Sequence, residues 1–573
     1  MKVIIVGGVA GGASCAARLR RLDEQAEIVL LERGPYVSYA NCGLPYHVGG
    51  VIEKEPSLLV ANEQVFRSLY AIDVRSGCEV TKILPKQKTV ELRSAATGEV
   101  TRESYDKLVL SPGAAPIRPP LPGIDLPGIF SVRTVPDARE IRRWIEERKA
   151  HASGMHTYTG FQTVRPTLRA VVVGGGFIGL EMAENLIHQE LEVTLIERGP
   201  QLVDPIDPEM ARYVERHMEK HGVRLVLADG AASFEQAADG SLEVHTQSGR
   251  LFPADIVVLG IGVRPETALA KEAGLEIGER GGIRVDEHMR TSDPDIFAVG
   301  DAVEVRDAVT GQWSLIALAG PANRQGRIAA DGIAGRDSRY RGTQGTAIIG
   351  LFGAAVAWTG ASEKSLVRNG DKGYEKIYLY PNSHAGYYPG AKYLAMKVLF
   401  RKSDGRLLGM QAVGQDGVDK RIDAAAMVIQ LGGTVYDLEE AELCYAPQFG
   451  SAKSPLNFAG MVAADVLHGD LPLSHWNGSA DGFLLDVRNP EELAVERVPG
   501  AVNIPLPALR ARLAELPRDR EIQVICRSGQ RAYYATRILL QNGFNARNLS
   551  GGMLSRTNLD AGENRREVSY TRT

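Results

Sequence analysis

Cysteine is scarce in this chain, with five in 573 residues. The count is odd and the density low, which excludes a disulfide scaffold and fits a reducing, cytoplasmic compartment. No apolar run approaches the ~18–20 residues that a membrane span needs. A formal net charge of −4 gives no reason to expect nucleic-acid or polyanion binding. The first residues, MKVIIVGG, are apolar, but glycines interrupt before a signal-peptide core could form, so they read as a first buried strand. With 44% hydrophobic residues the chain has ordinary globular composition. It is too long for one core, and roughly three to five domains are expected.

The pattern strand, glycine turn, helix, strand, acid occurs twice. In the first copy Val3 to Val6 reads as strand, Gly7 to Gly12 as turn, Ala13 to Leu22 as helix and Ile28 to Leu31 as strand, ending at Glu32. In the second, Ala170 to Val173 leads into Gly174-Gly175-Gly176-Phe177-Ile178-Gly179, a helix to about His188, and the strand Val193 to Ile196 ending at Glu197. Such a βαβ unit places a pyrophosphate on the helix N-terminus and the acid on a ribose. Two copies imply two dinucleotides. The second fingerprint, Gly174-x-Gly176-x-x-Gly179, is complete. Glu197 would repel a 2′-phosphate and favours NADH over NADPH, a preference weakened by Arg198 beside it. The first has Val9 at the middle glycine position. It gains support from Glu32 and from the segment Thr291 to Val305, TSDPDIFAVGDAVEV.

These segments, with YDKLVLSPGAAP (Tyr105 to Pro116) and DIVVLGIGVRP (Asp255 to Pro265), resemble the pyridine nucleotide–disulfide oxidoreductases over roughly residues 1–465. The resemblance implies FAD in the first unit and NAD(P)H in the second. It assigns the FAD site to Gly7, Gly8, Ala10, Gly11, Gly12, Glu32, Arg33, Asn41, Val80, Ser111, Gly113, Gly300 and Asp301. NAD falls to Gly174, Gly176, Phe177, Ile178, Gly179, Glu197 and Gly262. A third domain would form a homodimer.

Cys42 lies in SYANCGLPY. Members with a dithiol centre use Cys-x-x-x-x-Cys, but here position 47 is His47. A lone cysteine cycles through a sulfenic acid, a persulfide or a mixed disulfide with an external thiol. The string resembles the coenzyme A-disulfide and persulfide reductases, with NADH oxidases and peroxidases as the alternative. That resemblance implies Cys42 as the attacking sulfur, Ser38 and Asn41 beside the bound thiol, and Arg18 and Arg21 toward CoA phosphates. It also implies that Tyr387 (HAGYYPG) and Tyr445 (CYAPQFG) reach the cysteine of the partner subunit, leaving His384 without a role. Cys15 and Cys78 read as buried structural thiols.

Cys526 opens CRSGQRA, with the spacing Cys526-x4-Arg531. A short loop entering a helix can point successive N–H groups at one sulfur, here through Arg527, Ser528, Gly529, Gln530 and Arg531, with both arginines favouring an anion. Together with LLDVRNPEE, VPGAVNIP and LSGGM it resembles a single-domain rhodanese over about residues 478–560. Arg556 stands where members of that family have an aromatic residue.

The expected fold is therefore α/β: two Rossmann-like dinucleotide-binding domains, an α+β dimerisation domain and a C-terminal rhodanese-like domain. Expected limits are 1–118 and 252–335 for FAD, 119–251 for NAD(P)H, 336–466 for dimerisation, 467–479 for a linker and 480–562 for the rhodanese. The stretch 149–167 reads as an exposed loop without a role, and the last dozen residues as frayed. No metal site is expected. The expected activity is NAD(P)H-dependent reduction of CoA persulfide, CoA disulfide or polysulfide, with CoA as substrate or bound thiol and Cys526 handling sulfane sulfur.

Overall fold

The computed structural model describes residues 1–154, 157–159, 162–164, 167–476, 482–556 and 558. The chain forms two compact units, one of Met1–Arg198 with Gly222–Gly345 and the other of Gly199–His221 with Thr346–Thr573.

Two parallel five-stranded sheets organise the first unit. One runs in the order Ile296–Ala298, Lys107–Leu110, Lys2–Val6, Glu27–Glu32, Asp73–Ser76. The other runs Arg224–Val226, Glu192–Ile196, Arg169–Val173, Ile256–Leu259, Ile129–Ser131. Their central strands are apolar runs buried almost throughout, as sheets covered on both faces require. In each sheet the first βαβ strand sits inside, with later strands added on both sides of it, so the strand order reverses there. That reversal opens a crevice at the carboxyl ends of the strands, where the glycine turns lie. Helix Ala10–Arg20 packs on Ala319–Ile333. The approach is so close that a Cβ at Gly326 would strike the Gly11 carbonyl.

In the second unit an antiparallel sheet runs Ala347–Leu351, Ala354–Gly360, Leu407–Gly414, Ala395–Arg401, Tyr374–Leu379. Lys397, on its fourth strand, has no exposed surface. Its ammonium contacts Asp207 Oδ2 at 2.9 Å, Glu209 Oε1 at 2.5 Å and Glu363 Oε2 at 2.6 Å. Burying a charge is tolerable only with such compensation. The cluster fixes the segment Gly199–His221, with its helix Pro208–Lys220, to this sheet. A parallel sheet at the C-terminal end runs Leu473–Ser474, Ala546–Leu549, Ile522–Ile525, Phe483–Asp486, Val502–Asn503, with helix Gln530–Gln541 against it.

Three expectations need correction. The first glycine turn is shorter than expected, because the helix already begins at Ala10 and ends at Arg20. The stretch 149–167 is not simply a loop. Helix Val135–Gly154 runs into it, and Thr157–Thr159 pairs with Gln162–Val164 as an antiparallel ladder. The 467–479 linker is partly structural, since Leu473–Ser474 forms the edge strand beside Ala546–Leu549. Residues 477–481 and the polar C-terminus beyond 558 lie outside the described residues. Among the described residues no helix is long and apolar enough to cross a membrane.

Candidate active sites

The two glycine turns are built alike. Gly7 has φ +97° and Gly174 φ +113°, conformations that L side chains resist. A Cβ at Gly12 would strike the Gly7 carbonyl, and one at Gly179 the Gly174 carbonyl, so these glycines bring helix onto strand. Glu32 Oε2 accepts from Gly8 N at 2.9 Å, and Glu197 Oε2 from Gly175 N at 2.7 Å. Each acid is therefore held at its own loop. Helices Ala10–Arg20 and Phe177–His188 start without a side-chain cap or an acid in the first turn. A helix start of this kind, without side-chain cap or acid, presents backbone N–H groups suited to phosphate oxygens. Gly176 has open space on its Cβ side, and Phe177 and Ile178 begin the helix behind it. Two dinucleotides fit these cradles. Val9 precedes the first helical residue, so a missing middle glycine does not close the loop.

Around the first cradle, Gly11 leaves room beside Ser111, whose Oγ would lie 3.0 Å from an added Cβ. Gly300 has φ +83° and opens the short helix Gly300–Ala302. Burial pushes the Asp301 carboxyl up, and Arg133 opposes this. Gly113 and Gly262 have φ +75° and +106°. Two assigned side chains point elsewhere. Val80 is buried in the core, and Arg33 donates a fork of bonds to Glu266 at 2.8 and 2.6 Å.

Cys42 sits in the short helix Asn41–Gly43, which continues into Leu44–Val48. Backbone bonds from Ser38 N to Gly8 O (2.7 Å) and Val60 N to Ser38 O (2.8 Å) anchor the preceding loop to the first cradle. Ser38 carries φ +47°, rare outside glycine and a sign of local strain. Cys42 and Asn41 are exposed. Partial desolvation of the sulfur, then the carboxyls of Glu181 and Asp301, push the Cys42 thiol up. His47, at the position of a second cysteine, is buried and lies 2.7 Å from the Ile52 carbonyl through Nδ1. Its ring is held by backbone and by Arg142, at 3.2 Å from Nδ1, as a packing residue. Arg18 is committed to Asp331 at 2.8 Å, so of the arginine pair only Arg21 is free and exposed. Helix Leu44–Val48 packs on Phe177–His188, and Tyr46 donates to Glu181 Oε1 at 3.4 Å. Sequence reasoning missed Glu181. Its signal was an acid two residues beyond the last fingerprint glycine.

In the second unit Tyr387 and Tyr445, 58 residues apart, meet hydroxyl to hydroxyl at 2.9 Å. Ala385 N donates to the carbonyls of Pro447 (3.2 Å) and Gly450 (3.0 Å), clamping one segment to the other. Buried His384 fixes the turn, with Nδ1 3.1 Å from Ser383 Oγ and Nε2 3.3 Å from Pro389 O. This is the role the sequence did not reveal. Tyr387 is 77% exposed and Tyr445 50%, beside exposed Tyr393 and Phe449. Cys444 is exposed, Cys15 is fully buried with its thiol pushed up to about 12, and Cys78 is only partly buried.

Cys526 ends strand Ile522–Ile525 and is itself buried. Gly529, at φ +95°, turns its N–H onto the Cys526 sulfur at 3.1 Å and starts helix Gln530–Gln541. Met553 N donates to Cys526 O and Leu554 N to Arg527 O, both at 3.0 Å, so the LSGGM segment braces the loop. A Cβ at Gly552 would strike Cys526 O. Arg531 lies within electrostatic reach of the Cys526 sulfur and is shared with an acid. Arg531 is forked onto Glu492 at 2.6 and 2.7 Å, which offsets its charge, while Arg527 is exposed. Gln530 engages Tyr534 at 3.4 Å rather than the sulfur, and Ser528 is partly buried in the turn. Trp476 donates to Gly552 O at 2.8 Å, with Arg556 over its ring at 5.2 Å. An aromatic ring thus stands against this loop, supplied from a different part of the sequence.

Residues 1–326 match the pyridine nucleotide-disulphide oxidoreductase family, 347–454 its dimerisation domain and 472–556 the rhodanese-like domain. The chain is 33% identical to the coenzyme A disulfide reductase of Staphylococcus epidermidis, over 81% of this chain and 99% of that one. The crystal structure of reduced Bacillus anthracis CoADR-RHD is 45% identical, with a TM-score of 0.92 and 98% of each chain covered. A NAD-dependent persulfide reductase from A. fulgidus is 36% identical, with a TM-score of 0.87, covering 97% of this chain and 100% of that one. With two dinucleotide cradles, an exposed cysteine without a partner at position 47 and a second cysteine held by a backbone N–H in its own loop, the chain belongs to the pyridine nucleotide–disulphide oxidoreductases, enzymes dependent on FAD and NAD(H), and carries a dimerisation domain and a C-terminal rhodanese domain.

Proposed function

We propose that this enzyme uses NADH to reduce sulfane sulfur or disulfide carried on coenzyme A at Cys42, and that Cys526 supplies or accepts the sulfane sulfur. The observation that carries this reading is the buried, backbone-bonded His47 at the position of a second cysteine. Without an internal partner, Cys42 must form its disulfide with an external thiol. Gly7, Gly8, Ala10, Gly11, Gly12, Glu32, Ser111, Gly113, Gly300 and Asp301 would hold FAD, which when bound would supply two-electron transfer between the nicotinamide and the Cys42 site. Gly174, Gly176, Gly179 and Gly262 admit NAD(P)H, and Glu197 favours NADH. At Cys42 the thiolate attacks a disulfide sulfur. One S–S bond breaks, a Cys42–S–S–CoA or Cys42–S–SH bond forms, and the other sulfur departs as thiolate or hydrosulfide. Two electrons then restore Cys42, and one proton is taken up in the cycle. Arg21, Ser38 and Asn41 border the bound carrier.

The exposed Tyr387–Tyr445 pair supports a homodimer in which the partner's Tyr387 and the partner's Tyr445 donate hydrogen bonds to the departing sulfur. At Cys526 the Gly529 N–H and the helix behind it stabilise a persulfide anion. We assign the enzyme to the cytoplasm, consistent with free thiols throughout. A steady-state panel compares NADH turnover with CoA persulfide, CoA disulfide, polysulfide, peroxide and oxygen. The reading expects a sulfur substrate to have the highest kcat/KM. A higher value for peroxide or oxygen would make the enzyme an oxidase cycling Cys42 through sulfenic acid.

A further inference from the structure

Every mixed-disulfide step at Cys42 needs its thiol proton removed and a proton returned to the departing sulfur. Cys42 is an unfavourable acid, because its sulfur is partly desolvated and faces two carboxyls. One of these, Glu181, stands on the helix Phe177–His188, against which the helix following Cys42 packs. The approach of the two helices is tight. A Cβ at Gly49 would strike the Asn185 side chain, and Gln189 Nε2 donates to Gly49 O at 2.9 Å. Tyr46 follows Cys42 by four residues, and its hydroxyl donates to Glu181 Oε1 at 3.4 Å. Tyr46 and Glu181 thus meet across this helix–helix contact, both within electrostatic reach of Cys42.

Glu181 has no cationic partner among the described residues. Tyr46 faces it from the other helix, and on its own helix Glu184 lies within electrostatic reach and Asn185 Nδ2 donates to the Glu181 backbone carbonyl. Arg142 donates to the carbonyls of His47 and Glu53, and Arg133 to the Pro112 carbonyl; neither pairs with Glu181. A partly buried carboxyl left without a counter-ion beside a reactive cysteine has the placement of an acid–base group. Burial first, then Glu184, pushes it up to about 7 against the Tyr46 bond.

We propose that Glu181, positioned by Tyr46, is the proton carrier of the Cys42 reaction. The ionised carboxyl takes the Cys42 proton, leaving thiolate and carboxylic acid. The thiolate displaces one sulfur of the disulfide, and the acid returns the proton to that leaving sulfur, restoring carboxylate. No electrons are exchanged in the relay, and the two electrons of the cycle enter afterwards. This deepens the proposed role of Cys42 as the attacking sulfur but does not depend on CoA being the carrier.

The test uses reduced, FAD-loaded enzyme and two small disulfides in single turnover, with the Cys42 adduct quantified by mass spectrometry. Bis(2-hydroxyethyl) disulfide expels a basic alkyl thiolate that needs a proton. An electron-poor diaryl disulfide expels a thiolate that is stable without one. Glu181→Gln removes the Cys42 base from both reactions, so the aryl reaction should slow too, but by a smaller factor than the alkyl one. The substitution should slow the alkyl reaction by about 10-fold or more and abolish its rate inflection near neutral pH. Tyr46→Phe should shift the alkyl reaction in the same direction by a smaller factor. If both disulfides change by the same factor in Glu181→Gln, the carboxyl returns no proton to the leaving sulfur and the proposal fails. Inactivity toward CoA substrates with intact behaviour in this assay would instead overturn only the assignment of the carrier.

Discussion

Replacing Lys397 by methionine keeps the stem and removes the ammonium from a site with no exposed surface. Three carboxylates, Asp207, Glu209 and Glu363, would remain there. Lys376 reaches Glu363 at 2.6 Å, Gln411 donates to Asp207 at 2.6 Å and Tyr378 to Glu209 at 2.7 Å. These neighbours satisfy lone pairs but supply one positive charge where two stood. Breaking a buried ion pair on one side costs roughly 3–5 kcal/mol. In a unit of this size each kcal/mol shifts Tm by about 2–4 °C, so a fall of at least about 6 °C is expected. The pH dependence gives a second handle. Burial opposes it, but Lys397 and Lys376 hold the Glu363 carboxyl down at about 2 from its ordinary 4.5. That shift corresponds to about 3 kcal/mol, present above the unfolded value and lost as pH falls through it toward the folded one. Without Lys397 the same carboxyls gain from protonation. The Tm gap between the two proteins should therefore narrow as pH is lowered from neutrality to about 4. Scanning fluorimetry of the FAD-loaded proteins at several pH values measures both. A neutral-pH loss below about 2 °C, or a gap independent of pH, would refute the assignment of Lys397 as the charge that holds this cluster.

Two other substitutions test the sites separately. Tyr387→Phe and Tyr445→Phe each remove one hydroxyl of a solvent-facing pair, so thermal stability should stay within about 0.5 kcal/mol while kcat with CoA disulfide falls by about 10-fold or more. Stopped-flow reduction of the flavin by NADH should be unchanged in both. Glu492→Gln breaks the fork on Arg531, whose hydrogen bond is the main cause holding the Glu492 carboxyl at about 2. Thiosulfate:cyanide sulfur transfer should drop by about 10-fold from a loosened loop, with NADH-dependent CoA disulfide reduction intact.

The two nucleotide folds were legible in the sequence because their turns need glycine at fixed spacing and their strands are unbroken apolar runs. Glu32 and Glu197 were legible for the same reason, since an acid ending the second strand has one place to go. Side-chain commitments were not. Arg18 and Arg531 read as free cations, yet each is paired with an acid distant in sequence, Asp331 and Glu492. Such pairs depend on tertiary packing that no local period encodes. The edge strand Leu473–Ser474 was hidden inside a turn-rich stretch because two paired residues leave no alternation to detect. Likewise Tyr387 and Tyr445 could be named from motifs, but their contact at 2.9 Å is made by backbone bonds between two loops.

If two cysteines perform two separable sulfur reactions in one chain, replacing either one should remove one reaction and spare the other. Cys42→Ser and Cys526→Ser, each loaded with FAD, should be assayed side by side for NADH-dependent CoA disulfide reduction and for thiosulfate:cyanide sulfur transfer. Cys42→Ser should lose the first and keep the second, and Cys526→Ser should show the reverse. Equal loss of both activities in both variants would contradict that separation.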